Sequence, residues 1–107
     1  MKYNVEIENY DNGNIRNVIN YKDGLKHGEF IEYYENGKRG NVTSYLNDKR
    51  HGDDIYYYPN GKIKRKIPYI NDKRHGEEIM YYRNCDIEKH YFIHDEEVTE
   101  EEFQNVN

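Results

Sequence analysis

Short runs of alternating side chains, separated by turn residues, occupy most of the chain. In the run that follows His27-Gly28, one face carries Ile31 and Tyr33, and the other carries Phe30 and Tyr34. Such alternation with a period of two residues is typical of β-strands. Acidic residues accompany the apolar ones on both faces, so neither face is purely apolar. The pattern therefore predicts a single-layer sheet rather than two packed sheets.

Two kinds of turn signal separate these runs. One contains Asn-Gly, at 12–13, 36–37 and 60–61, and this dipeptide supplies the positive φ angles of a tight hairpin turn. The other is rich in Asp and Asn, at 22–24, 47–49 and 71–73, where the side chains are expected to bond their own backbone. The pattern predicts an antiparallel meander of about eight strands. The strands are expected near residues 3–10, 15–21, 28–34, 38–45, 52–58, 62–69, 76–82 and 86–93.

The runs and turns repeat with a period of 24 residues. Segments 21–44, 45–68 and 69–92 align without a gap, and the same register extends back toward the N-terminus. A repeat protein of this kind is stabilised by contacts between neighbouring repeats. The predicted fold is therefore all-β, with residues 1–93 forming one domain of hairpin repeats whose strands stack on each other through cross-strand pairs.

The last segment, 94–107, breaks the repeat. It contains six acidic and no basic residues. Thr99 and Glu102 match a capping box, which predicts a short helix over about residues 100–105. With Phe103 and Val106 turned inward, this acidic tail would cover the edge of the last strand, because an exposed edge invites unwanted pairing.

Composition supports a small β-protein. The chain has 107 residues, a formal net charge of -5 and 13 tyrosines, but no alanine or tryptophan and only two leucines. A helical bundle is excluded as the main architecture, because the residues that favour helices are scarce. The apolar runs are too short for a transmembrane helix, and no signal peptide is expected. With Cys85 as the single cysteine, we expect a cytoplasmic protein without disulfides.

The repeat motif resembles a known family. Gly-x-x-x-x-Tyr-Tyr-x-Asn-Gly-Lys, followed by Tyr-x-Asp-Gly or Tyr-x-Asn-Asp, is similar to the MORN repeat in its variant form, found in many short bacterial and viral proteins. Segments 28–38 and 52–62 match it best. Cys85 and Asp86 stand where the motif has Gly and Lys, so the last hairpin turn is expected to be strained or of another type.

The resemblance implies extended antiparallel sheets of consecutive hairpins. It also implies an interaction or scaffold module; some members are proposed to touch acidic phospholipids, and some are described as antitoxin or immunity components. None of these functions follows from the fold alone.

The sequence offers little that points to catalysis or metal binding. His27, His51 and His75 recur in register, but they lie two strands apart, so neighbouring rings would need to lean sharply together to share an ion. The simpler interpretation is a repeated side chain that packs beside a turn. No phosphate loop, nucleophile elbow or Cys-His arrangement is present. We therefore expect no enzyme activity, no metal and no cofactor.

A basic stripe is the second candidate surface. Lys26, Arg50 and Arg74 precede the histidines in register and are candidate phosphate-binding residues, for example toward phosphoinositides. The alternative is a solvated margin of mixed charge, because aspartates lie beside the same turns. Nucleic-acid binding is not expected from an acidic chain.

The tyrosine ladders are the main candidate contact surface. They comprise Tyr33, Tyr57 and Tyr81 on one face and Tyr34, Tyr58 and Tyr82 on the other. Packing between strands is the alternative role for each ladder. The predicted function is a non-catalytic protein-interaction or scaffold module, with an antitoxin or immunity role, or acidic-phospholipid binding, as alternatives. A protein partner or a homodimer is expected, held through a sheet face or through the edge of the first strand near Val5 and Ile7.

Overall fold

The computed structural model describes residues 1–106, which form ten strands and one helix. All the strands belong to one open antiparallel sheet whose hydrogen-bonded neighbours follow the order of the chain, except that the short β7 pairs with β6 beside β8. The predicted single-layer meander is confirmed, and the molecule is only 14 Å thick in its shortest dimension. The strands are β1 (Tyr3–Asn9), β2 (Ile15–Lys22), β3 (Leu25–Tyr33), β4 (Arg39–Leu46), β5 (Lys49–Tyr57), β6 (Ile63–Ile70), β7 (Lys73–Arg74), β8 (Gly76–Tyr81), β9 (Ile87–Ile93) and β10 (Glu96–Val98).

Cross-strand pairing divides the side chains between two faces. Face A carries the paired Ile31 and Val42, and face B carries the paired Thr43 and Asp54. The buried side chains are Ile31 and Val42 on face A, and Thr43, Asp54, Ile67, Tyr69, Glu78 and Phe92 on face B. A sheet of one layer thus builds its core from side chains that cover each other along rows, with polar residues included.

The buried acidic groups on face B have partners. The Asp54 carboxylate accepts hydrogen bonds from the Thr43 hydroxyl at 2.8 Å and from the Asn41 amide at 2.7 Å. Glu78 forms an ion pair with Arg65, whose Nη2 lies 3.1 Å from its Oε1. These contacts offset part of the loss of hydration that burial of a carboxylate entails, while the second carboxylate oxygen of Glu78 is buried without a hydrogen-bond partner.

His27-Gly28 and His51-Gly52 lie within strands rather than at their beginnings, whereas Gly76 begins β8 as predicted. The sequence predicted strands that begin at residues 28 and 52, but β3 begins at Leu25 and β5 at Lys49. Pairing of β4 with β5 shifts by two residues between Thr43 and Tyr45, where His51-Gly52 forms a bulge. In the third copy Gly76 has a φ of 127°, and a Cβ there would lie 3.0 Å from the Pro68 ring. The positive φ therefore favours glycine after each of the three histidines, and at Gly76 the lack of space favours it as well.

The two kinds of turn exchange the roles that the sequence predicted for them. In the Asn-Gly turns only the glycine has a positive φ, and Tyr58 bonds both Gly61 and Lys62, which makes a three-residue loop. The Asn60 side chain bonds the backbone two residues on. The turns with two positive φ angles are the two-residue turns at the other ends of the strands, for example at Asn47 (49°) and Asp48 (69°).

The aspartates of the two-residue turns bond the neighbouring hairpin, not their own turn. The Asp48 N–H donates to the Lys26 carbonyl at 2.9 Å, and its carboxylate accepts from the Lys26 N–H at 2.7 Å. The same pair of hydrogen bonds recurs for Asp23 with Lys2, Asp72 with Arg50, and Asp95 with Arg74. Each aspartate therefore extends the ladder between repeats by one pair.

The last three-residue turn keeps the geometry of the others despite its cysteine. The Cys85 N–H donates to the Tyr82 carbonyl at 3.0 Å, and the Tyr82 N–H donates to the Asp86 carbonyl at 2.9 Å. Cys85 has a φ of 74°. Of the two alternatives predicted for this turn, the strained one is correct, because the turn type is retained with a side chain in the left-handed region.

The acidic tail covers the C-terminal edge in a way that was predicted only in part. Helix α1 (Glu100–Val106) begins with the predicted capping box between Thr99 and Glu102, and Phe103 packs on Tyr91 with ring centroids 5.5 Å apart. Val106 is exposed, so its predicted inward orientation was wrong. The sequence also missed β10, which pairs with β9 ahead of the helix. No helix within residues 1–106 is long and apolar enough to cross a membrane.

A histidine joins β10 to β9. The His90 ring lies 2.7 Å from a Glu97 carboxylate oxygen and 3.2 Å from one of Glu88. The hydrogen bond to Glu97, with help from Glu88, raises the pKa of His90 above its ordinary value of 6.5. Since the folded protein holds this proton more tightly than the unfolded chain, the stabilisation is complete below pH 6.5 and is lost as the pH rises through the raised value.

We therefore expect His90→Gln to lose more stability at pH 6 than at pH 8. Urea unfolding of the wild type and the variant at both pH values measures the difference. Ion pairs of exposed groups contribute little, so the expected loss at pH 6 is below about 1 kcal/mol. A loss that is independent of pH would contradict a charged His90 in the folded state.

Candidate interaction groove

A repeated tyrosine ties each hairpin to the next. Tyr10, Tyr34 and Tyr58 each begin a three-residue turn and donate their hydroxyl to the backbone carbonyl 23 residues on, at Tyr33, Tyr57 and Tyr81. For Tyr58 the oxygen–oxygen distance is 2.7 Å. These hydrogen bonds orient the rings along the row of three-residue turns. The three tyrosines therefore pack between neighbouring strands, which is the alternative role considered for the ladders.

Tyr82 is the last tyrosine of this series and bonds differently from the others. Its hydroxyl donates to the Glu88 carboxylate, which raises the pKa of Tyr82 and lowers that of Glu88. Tyr82 follows the end of β8, as Tyr58 follows the end of β5, so neither ring has to obey the alternation of the strand before it. The prediction that the two ladders occupy opposite faces does not hold here, because Tyr81 and Tyr82 line one groove together.

This groove lies on face A, between the turn of β5 and β6 and the turn of β8 and β9. It has a volume of about 650 Å³, which is within the range of ligand and side-chain binding sites. Its apolar wall is formed by five side chains, and its rim is more polar. The wall consists of Tyr58, Ile63, Tyr81, Tyr82 and Ile87. The rim consists of Asn60, Lys62, Arg83, Cys85 and Asp86.

The position of the groove follows from strand pairing. Ile63 pairs with Tyr57 and Ile87 pairs with Tyr81, so both isoleucines begin their strands on face A. Ile63 is 38% exposed and Ile87 58% exposed. A contiguous apolar surface is therefore exposed to solvent here, because each isoleucine lies beside a tyrosine.

Cations hold the ring of Tyr58. The Arg83 guanidinium lies 4.8 Å from the ring centroid and the Lys64 ammonium 5.9 Å from it. Together with the hydroxyl bond to Tyr81, these contacts fix the ring as one wall of the groove. The rim has two basic side chains, Lys62 and Arg83, and one acidic side chain, Asp86, so its charge is slightly positive.

Sequence reasoning selected three of the groove residues, Tyr58, Tyr81 and Tyr82, and missed the others. A signal for the isoleucines exists, because Ile63 and Ile87 are 24 residues apart and each follows a three-residue turn. The remaining predicted ladder residues do not line the groove. Tyr33, Tyr34 and Tyr57 are half-buried in the hydrogen-bonded ladder, and Tyr57 adjoins the groove through its pairing with Ile63.

The predicted basic stripe lies at the other ends of the strands, along the row of two-residue turns, where aspartates accompany it. Arg50 pairs with Asp72 at 3.0 Å, and its guanidinium stacks 4.2 Å from the Tyr69 ring centroid. The backbone and side-chain bonds from Arg50 lower the pKa of Asp72. These side chains form local pairs rather than an unmatched positive surface.

The other two members of the stripe are held in related ways. Arg74 pairs with Asp95 at 2.8 Å and lies 4.3 Å from the Phe92 ring centroid. The Lys26 ammonium lies 5.1 Å from the ring centroid of Tyr45. Each basic residue thus covers an aromatic ring of face B, which explains how aromatic rings are buried in a single layer.

Of the three repeated histidines, His75 has a defined local contact, whereas the buried Nδ1 of His27 has no hydrogen-bond partner. His75 packs against His94 with ring centroids 5.1 Å apart, and its Nδ1 accepts the His94 backbone N–H. Within the described part of the chain, no group of three or more His, Cys, Asp or Glu side chains is placed to hold a metal ion.

Comparison with known proteins agrees with the repeat geometry. The family described as MORN repeat variant matches residues 2–23, 26–39 and 50–71, which is more than half of the chain. The hairpin that contains Cys85 lies outside the matched residues. Neither the curated proteins nor the solved structures that were compared with the sequence gave a match. The 24-residue period, the Asn-Gly turns and the matched segments together show that the chain belongs to the MORN repeat variant family.

Proposed function

We propose that this protein is a non-catalytic interaction module that binds a partner protein through the groove between Tyr58, Ile63, Tyr81, Tyr82 and Ile87. The family is generally non-enzymatic, which is consistent with a module of this kind. The observation that carries the proposal is the exposed apolar wall, in which Ile87 is 58% exposed beside tyrosines held by hydrogen bonds. Contiguous apolar surface of this kind marks interaction sites on soluble proteins.

The groove has the properties of a contact centre. Tyrosines are enriched among the residues that contribute most to binding, and Tyr58 and Tyr82 are already ordered, so little side-chain entropy is lost on association. A volume of about 650 Å³ accommodates one or two large apolar side chains of a partner. The basic Lys62 and Arg83 on the rim favour acidic residues next to that apolar anchor.

Phospholipid binding through Lys26, Arg50 and Arg74 has weaker support. Arg50 and Arg74 are already paired with Asp72 and Asp95, and a phosphate would have to displace those carboxylates. An antitoxin or immunity role is a specialised form of the proposed function, in which the partner is a toxin.

Cys85 provides a direct way to find the partner. It is the single cysteine, it is exposed, and it lies on the rim of the groove. A photoreactive maleimide attached there should crosslink a protein that occupies the groove. The same label on a Tyr82→Ser, Ile87→Glu double variant should not crosslink that protein.

For the partner so identified, Ile87→Glu should weaken binding by about thirtyfold or more, because a carboxylate replaces an apolar anchor. Ile70→Glu is the matched control, since Ile70 is 46% exposed and lies outside the groove; it should change the Kd by less than about twofold. Titration calorimetry measures both. Equal binding by the two variants would contradict the groove as the contact surface.

A further inference from the structure

Strand β1 forms an edge of the sheet at the far end from the groove. Within residues 1–106, no strand pairs with its outer side, and all seven of its residues are exposed. The opposite edge strand, β10, has only three residues, and α1 contacts the neighbouring β9. The long free edge of β1 is therefore the more favourable template for pairing with another strand.

The backbone groups available at this edge can be read from the bonds to β2. Lys2 donates its N–H to the Asp23 carboxylate and accepts the Asp23 N–H at its carbonyl, so both backbone groups of Lys2 point toward the β2 side. In an antiparallel ladder this direction alternates along the strand. Tyr3, Val5 and Ile7 therefore direct their N–H and C=O groups outward.

The side chains at the edge are segregated by face. Ile7 pairs with Val18, and Val18 pairs with Ile31, which places Ile7 on face A together with Val5 and Tyr3. These three side chains are 56%, 56% and 63% exposed. Asn4, Glu6 and Glu8 alternate onto face B. The edge thus combines free hydrogen-bonding groups with an apolar row.

We propose that β1 pairs antiparallel with β1 of a second copy of this chain, with Val5 opposite Val5, so that the two sheets become one. In this register the outward-pointing Tyr3 and Ile7 lie opposite each other in both directions. The three pairs made by Tyr3, Val5 and Ile7 exchange six backbone hydrogen bonds. Their apolar side chains cover one another on face A.

Charge favours this register over those centred on Glu6 and on Ile7. With Val5 at the centre, Glu6 lies opposite Asn4, and Glu8 lies opposite Lys2 of the other copy. Centring on Glu6 would place the two Glu6 side chains opposite each other, and centring on Ile7 would place Glu6 opposite Glu8. Like charges directly opposite in a sheet are destabilising, so these registers are disfavoured.

The oligomeric state of the full chain tests the proposal. Analytical ultracentrifugation over a concentration series up to about 1 mM should show a species of about twice the monomer mass of 13.1 kDa. Val5→Lys, which places two like charges opposite each other, should give a monomer with an unchanged circular dichroism spectrum. Ile70→Lys, at a similarly exposed isoleucine within the sheet, should leave the dimer intact.

A charge exchange tests the register. Lys2→Glu alone and Glu8→Lys alone should each raise the dissociation constant by roughly tenfold, because each creates like-charge pairs across the edge. The double variant Lys2→Glu, Glu8→Lys restores opposite charges and should recover most of the affinity. A monomeric wild type, a dimer that persists in Val5→Lys, or a double variant as weak as the single ones would overturn the proposal. Ile87→Glu should not affect this dimer, so its outcome is separate from that of the groove.

Discussion

Ile67→Ala should lower the free energy of unfolding by about 2–4 kcal/mol, one of the largest effects expected for a single apolar substitution in this chain. Ile67 is only 3% exposed and lies on face B in a row with Asp54. In a single layer, no second sheet can close over the space that a smaller side chain leaves. Truncation would therefore also admit water beside the hydrogen-bonded Asp54 carboxylate, which weakens its bonds to Thr43 and Asn41.

Urea unfolding of the variant measures this loss, with the midpoint shifted and the slope unchanged. Ile70→Ala is the matched control, because Ile70 is in the same strand but 46% exposed, and we expect a loss below about 1 kcal/mol. Equal losses for the two variants would show that face B contains no real core.

Gly61→Val should lower the stability by about 1–3 kcal/mol. Gly61 has a φ of 93°, and its N–H closes the three-residue loop on the Tyr58 carbonyl at 2.8 Å. A Cβ at this position would meet only the flexible Lys38 side chain, so the cost is one of backbone conformation and not of space. A β-branched residue resists a positive φ more than other residues do. Thermal unfolding measures the change.

Cys85 offers the reverse experiment in the equivalent turn. It already has a φ of 74° with the same hydrogen bonds, so Cys85→Gly should raise the stability by about 0.5–1 kcal/mol. Opposite signs for Gly61→Val and Cys85→Gly would establish that this turn position requires a left-handed backbone. A destabilising Cys85→Gly would instead mean that the Cys85 side chain makes a contribution of its own.

The strained turn and the candidate groove coincide. Cys85 lies on the rim of the groove, in the hairpin outside the segments that match the family. Tyr10, Tyr34 and Tyr58 each bond a carbonyl of the next hairpin, but Tyr82 bonds Glu88 of its own hairpin. This regular series of bonds between hairpins therefore ends at the groove.

The repeat pattern alone determined the architecture. Alternation with period two, turn residues every dozen positions and a 24-residue period admit little besides consecutive antiparallel hairpins, and the structure confirms that order. The capping box at Thr99 and Glu102 was equally local, because both partners lie within one helical turn. Information of this kind is contained in residues close along the chain.

Features that depend on neighbouring strands were decided only by the tertiary structure. Asp48 bonds Lys26 because the turn of one hairpin meets the strand of another, and no local rule distinguishes this from an Asx turn. The observed start of β5 differs from the predicted one, near His51-Gly52, for the same reason, because a bulge depends on the residues of the partner strand. β10 forms because β9 offers a free edge, and three acidic or β-branched residues alone do not predict a strand.

The candidate site shows the same division. The tyrosine period identified Tyr58, Tyr81 and Tyr82 as surface candidates, but alternation assigned them to opposite faces. Their meeting in one groove depends on how the chain leaves β5 and β8, where strand geometry no longer dictates the side-chain direction. Likewise the sequence showed a row of basic residues, but it could not show that Arg50 and Arg74 each reach an aspartate 22 and 21 residues away. Period and composition thus determined the scaffold, and contacts between repeats determined which of its surfaces remain open.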